Sequence, residues 1–106
     1  MIYIREAHAS DGLRPIEGDK VSEGTTEPKD YDDRLGNASE CVETLGIELP
    51  CLIDGMKNAT DGAYSGWPDR LFVVDVEGKI AFRGEPGPRG FDPKAMEKAL
   101  KEVLKK

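Results

Sequence analysis

Tyr3-Ile4-Arg5-Glu6-Ala7-His8-Ala9-Ser10-Asp11-Gly12 is the stretch on which the reading of this 106-residue chain turns. Ile2, Tyr3 and Ile4 read as a buried strand, and an acid, an imidazole, a hydroxyl and a second acid follow at its C-terminal end. Open α/β sheets bind ligands at that end of their strands, so Glu6, His8 and Ser10 are the first candidate site residues. His8 is the only histidine in the chain.

Outward from this motif, residues 9–30 carry Gly12, Pro15, Gly18, Gly24 and Pro28 without a sustained apolar period, which predicts a long loop. Leaving directly from His8, it reads equally as a lid or as a flexible insertion. From Tyr31 to Leu45 the positions Leu35, Ala38, Val42 and Leu45 share one helical stripe beside Cys41, and Gly46 stands where a left-handed stop is needed. Ile47, Leu49, Cys51, Leu52 and Ile53, interrupted by Pro50 and ended by Asp54-Gly55, read as an edge strand. A helical turn is expected over 57–64. Residues 71–75 and 79–83, split by Val76-Glu77-Gly78, predict an antiparallel hairpin. Residues 84–90 read as a linker, although Arg83 and Arg89 leave a small-anion site conceivable. Asp92 then caps a helix with Pro93 in its first turn, and Met96, Ala99, Leu100, Val103 and Leu104 form its apolar face.

The composition, 38% hydrophobic and 34% charged, suits a single globular domain over 1–106. Fifteen basic against 21 acidic residues give a net charge of −6, which repels a phosphate backbone and excludes nucleic acid as a partner. No apolar run approaches the ~20 residues of a membrane span, and Arg5 and Glu6 interrupt the N-terminal run too early for a signal peptide. No membrane partner and a cytoplasmic location are therefore expected. Cys41 and Cys51 do not make a secreted disulfide framework, and one histidine leaves too few soft ligands for zinc, so neither a metal nor another cofactor is expected. Asn37-Ala38-Ser39 and Asn58-Ala59-Thr60 match the glycosylation triplet, by chance on this reading.

The motif resembles the iodothyronine deiodinase family and its bacterial deiodinase-like relatives, in which a strand ending in Tyr-Ile-x-Glu-Ala-His runs into a small residue, Ser or Thr, and Asp-Gly. The likeness continues through Leu49-Pro50, Asp54-Gly55-Met56, Ala63-Tyr64, Arg70, Gly78-Lys79-Ile80-Ala81 and Gly87-Pro88. It implies an α/β fold: a partial, N-terminally truncated thioredoxin-like sheet of three to four strands, with a C-terminal hairpin and flanking helices. It also implies a cis proline at Trp67-Pro68, facing the nucleophile, and a site in which Glu6 and His8 move protons while Arg70, Ser10, Trp67 and Pro68 hold a small-molecule substrate. Such chemistry suits the residue types, since imidazole exchanges protons near neutrality and guanidinium binds an anion. The family's Cys or Sec nucleophile, on a strand-to-helix turn, would precede Met1, and its further loop histidine has no counterpart.

Neither cysteine replaces that nucleophile. Cys41 falls inside its predicted helix and Cys51 on an apolar strand, away from the helix N-terminus that activates a thiolate, so buried structural thiols are expected. Two functions remain. One is a deiodinase-like thioredoxin-fold protein, redox-related by ancestry but without its own catalytic Cys or Sec. The other is a binding module that forms homodimers through exposed sheet edges. A peroxiredoxin-like peroxidase would demand an upstream peroxidatic cysteine.

Overall fold

A computed structural model describes residues 1–105. Its elements run β1 (Ile2–Tyr3), α1 (Lys20–Glu23), α2 (Tyr31–Leu45), β2 (Leu52–Ile53), α3 (Ala59–Tyr64), β3 (Phe72–Val74), β4 (Ile80–Arg83) and α4 (Pro93–Leu104). This is a mixed α/β chain consistent with part of a thioredoxin-like fold. The strands pair as two ribbons of two, and the chain divides into two compact units, Met1–Tyr64 and a second beginning at Ser65.

In the first unit β1 pairs in parallel with β2, Ile2 opposite Leu52 and Tyr3 opposite Ile53. Parallel strands need a crossover, and α2 supplies it. Its ends are local in origin. The Asp30 carboxylate accepts the Asp33 N–H at 2.8 Å, while Gly46, at φ 63°, lets Gly46 and Ile47 donate to the Glu43 and Val42 carbonyls. The helix therefore has the predicted bounds, but it is turned about its axis. Of the predicted stripe Ala38 is buried and Val42 half-buried, but Leu35 and Leu45 are 42% and 60% exposed, and Arg34 and Asn37 are buried beside Ala38. The cause is Glu6: a buried carboxylate on the facing strand end needs a cation and an amide more than the core needs two leucines.

Ile2 and Leu52, cross-strand partners, are also exposed, while Tyr3 and Ile53 are half-buried and β2 packs on α2. The passage expected as a loop contains α1, four residues with no apolar period, held by the Asp19 carboxylate accepting the Ser22 N–H at 2.8 Å.

In the second unit β3 and β4 form the predicted hairpin, with Gly78 at φ 81° in the turn and the Asp75 carboxylate accepting the Glu77 and Lys79 N–H groups. Helix α4 packs on both strands. Its cap is the predicted Asp92, which accepts the Ala95 N–H at 3.1 Å. Val73, 6% exposed, is a buried hydrophobic residue of this unit.

Candidate functional site

Strand β1 ends at Tyr3, and the bends that follow at Arg5, Ala7 and His8 release the motif from strand alternation. Glu6 turns inward. Its Oε1 accepts the Arg34 Nε and Nη2 at 3.3 and 3.2 Å, and its Oε2 accepts the Asn37 Nδ2 at 3.1 Å. Arg34 and Asn37 stand one turn apart on α2 and so present their side chains together. The Arg34 Nη1 goes on to donate to the Gly55 carbonyl and the Asn58 Oδ1, at 2.8 and 2.9 Å. The Asn37 amide also donates to the Thr26 carbonyl at 2.7 Å.

The Glu6 and Arg34 side chains are only 2% and 4% exposed. Two such charges are tolerated when buried because their hydrogen-bonding groups find partners. Among the described residues no buried side-chain nitrogen or oxygen lacks one. Tyr3 completes the cluster: burial, then the Glu6 charge, the nearby Cys41 and a hydrogen bond to Glu6 push its phenol well above the usual range, against the pull of Arg34. Tyr3 is therefore a neutral donor at every physiological pH, and Glu6 is a fixed anchor at the base of the motif.

His8 turns outward. Its ring is exposed, with Nδ1 2.8 Å from the Arg14 carbonyl. Beside it the Ser10 N–H and hydroxyl both donate to the Thr25 carbonyl, at 2.7 and 2.9 Å, and the Glu27 N–H donates to the Asp11 carboxylate at 2.7 Å. The loop is thus stitched to itself across its neck.

Arg70, Trp67 and Pro68 belong to the second unit. The Arg70 Nε and Nη1 donate to the Gly84 and Ser65 carbonyls at 2.6 and 3.1 Å, and Nη2 lies 3.8 Å from Glu85. The guanidinium thereby ties the start of this unit to the end of its hairpin. Glu85 is 82% exposed, so the ion pair adds little to those two carbonyl bonds. Trp67 and Pro68 are half-buried, and the Trp67-Pro68 and Gly87-Pro88 peptides are cis.

Sequence reasoning overlooked Arg34, Asn37 and Asn58. The signal was present: both glycosylation-like triplets begin with an asparagine that serves this cluster. Both thiols are free and half-buried. Burial, reinforced by the Cys51 thiol, pushes the Cys41 thiol up, and Cys51 points its sulfur at the Leu52 carbonyl 3.6 Å away. Neither arrangement activates a thiolate. Among the described residues no group of three or more His, Cys, Asp or Glu side chains is placed to hold a metal ion, and no helix is long and apolar enough to cross a membrane.

Asp54, 4% exposed, is a further buried acid of this unit. Its carboxylate accepts the Thr60 and Asp61 N–H groups at 3.0 and 2.9 Å, starting α3. Burial alone would raise this carboxyl, but bonds from Asp61, Thr60 and Gly55 outweigh it and hold it below the usual range. Its stabilisation is therefore complete above the unfolded value of ~3.9 and is lost as pH falls through the lower folded value. Asp54→Ala should cost about 0.5–2 kcal/mol at pH 7. The gap to wild type in urea unfolding should narrow toward pH 3, and a gap independent of pH would refute the assignment.

The iodothyronine deiodinase family model matches residues 1–104. The chain is 33% identical over 93 residues to a type I iodothyronine deiodinase of Xenopus laevis, covering 88% of this chain and 34% of that protein. It is 32% identical over 91 residues to a thyroxine 5-deiodinase of Gallus gallus, 86% of this chain and 33% of that one, and 30% identical to the Sus scrofa thyroxine 5-deiodinase, 86% and 28%. The chain thus spans about a third of the length of the curated relatives it matches. With the match running through the Glu6-His8 motif, α2, the hairpin and α4, the chain belongs to the iodothyronine deiodinase family.

Proposed function

We propose that this chain carries the proton-handling part of a deiodinase-like redox site, with His8 as the group that meets substrate and Glu6 as the buried anchor that fixes the strand end behind it. One observation carries this reading. Within three residues the motif joins a carboxylate locked among Arg34, Asn37 and Tyr3 to an imidazole open to solvent. Family relatives are named for removing iodine from iodothyronines. In a reductive deiodination a thiolate or selenolate takes up the iodine while the ring carbon takes a proton. An exposed imidazole suits the proton. The environments of Cys41 and Cys51 favour a thiol or selenol other than these two for the iodine.

The test uses a simple iodophenol and dithiothreitol. The ring resonances of His8 should move saturably with iodophenol, while iodide release should equal that of the Cys41→Ser/Cys51→Ser double variant. Release that disappears in the double variant would make one of these thiols the nucleophile. An unperturbed His8 would remove it from the site.

A second reading, a homodimer formed through a sheet, has one observation in its favour. Ile2 and Leu52 are cross-strand partners and are 45% and 68% exposed on the same ribbon. Leu52→Lys should then abolish a dimer seen by light scattering at high micromolar concentration, and a monomeric wild type would dismiss the reading.

A further inference from the structure

The His8 ring is held by one atom of the loop that follows it. The Arg14 carbonyl, 2.8 Å from Nδ1, has lone pairs and no proton, so in a neutral ring the hydrogen between them belongs to Nδ1. The other nitrogen, Nε2, is then left with its lone pair on the exposed side.

Arg14 has no reason of its own to be there, since residues 11–18 form neither helix nor strand. What brings it is Ser22, 3% exposed in α1. Its hydroxyl donates to the His8 carbonyl at 2.5 Å and accepts the Ile16 N–H at 2.8 Å. One oxygen therefore bridges the backbone of His8 to the backbone two residues beyond Arg14. A hydroxyl suits this post because it donates and accepts at once, which neither a carbonyl nor an ammonium does. The Asp19 carboxylate, accepting the Ser22 N–H at 2.8 Å, sets Ser22 in place, and the Thr25 N–H, donating to the Ser22 carbonyl at 3.3 Å, extends the hold toward the neck of the loop.

We infer that Ser22 is a positioning residue that, by docking the 14–16 segment on His8, fixes the imidazole as the Nδ1–H tautomer and presents Nε2 as the nitrogen that exchanges a proton with a ligand. The importance of Nε2 for catalysis rests on the proposed role of His8. The tautomer itself does not, and it is measurable in the chain without any substrate.

Because His8 is the only histidine, its two ring nitrogens can be read without assignment ambiguity by long-range proton–nitrogen NMR on labelled protein, at a pH where the ring is neutral. Wild type should show Nδ1 protonated and Nε2 bare, opposite to the preference of a free histidine side chain. Ser22→Ala should lower the Nδ1–H to Nε2–H ratio by roughly fivefold, the equivalent of one lost hydrogen bond. Ile16→Pro, which removes the N–H that Ser22 accepts and leaves Ser22 intact, should move the ratio in the same direction. Thr25→Val, which deletes the equally buried hydroxyl donating to the Val21 carbonyl at 2.6 Å, disturbs the same loop and should leave the ratio alone.

A wild type protonated on Nε2 would overturn the inference whatever the variants do. So would a Ser22→Ala ratio equal to wild type, or a Thr25→Val change as large as that of Ser22→Ala. Loss of the iodophenol response with an unaltered wild-type ratio would count against the function alone.

Discussion

Arg34→Met should destabilise the N-terminal unit by about 3–5 kcal/mol, the cost of stranding a buried charge when its partner is removed. Glu6 would keep the bonds from Asn37 and Tyr3 but lose the cation beside its charge. For a small domain with a total stability of about 5–15 kcal/mol, such a loss leaves much of the population open. Native-state hydrogen exchange is the suitable measurement, because amides of α2 and β1 report the first unit separately from the hairpin. Glu6→Gln in the Arg34→Met background should recover part of the loss, since an amide is far cheaper to leave under-bonded than a carboxylate. A loss below ~1 kcal/mol for Arg34→Met alone would mean that water or a proton reaches Glu6. The cluster would then not be a buried ion pair that anchors the motif.

Gly90→Ala should cost the second unit about 1–3 kcal/mol by overpacking. A Cβ at this position would lie 2.5 Å from the Glu85 Cβ and 2.6 Å from its backbone carbon and oxygen. The obstacle is main chain, held by the Gly90 N–H donating to the Pro86 carbonyl at 3.1 Å, so a rotamer change does not relieve it. Gly36→Ala is the natural comparison. It lies in the middle of α2, with nothing within 4 Å of an added Cβ, and should stabilise by about 1 kcal/mol through helix propensity. Opposite signs for the two glycines in denaturant unfolding are the expected result. A neutral Gly90→Ala would mean that the 85–90 turn yields easily.

Elements whose ends are set by their own neighbours were legible in the sequence. Asp30 and Gly46 bound α2, Asp92 starts α4 and Gly78 turns the hairpin, each through bonds to residues at most five positions away. The rotation of α2 was not legible. Its apolar stripe is real in the sequence, but Glu6 selects the polar flank from 28 residues upstream, and no periodicity within the helix encodes that demand. Helix α1 escaped for the opposite reason, being too short to show a period at all.

The candidate site divides in the same way. Glu6, His8 and Ser10 stood out because they are adjacent and follow a strand. Arg34, Asn37 and Asn58 lie on α2 and ahead of α3, and only the folded chain brings them to Glu6. Arg70 drew notice through family resemblance, and the structure gives it two carbonyls of its own unit to hold.

Glu6 and His8 are two positions apart and answer to different parts of the chain. Helix α2 holds Glu6, while the loop that His8 itself begins holds the imidazole. Insertions at Gly18, where the backbone is open and already left-handed, would leave the carboxylate where it is and re-aim the ring. Loop length in this chain therefore bears directly on the imidazole, whereas the carboxylate feels it only through the Thr26 carbonyl that its partner Asn37 also holds.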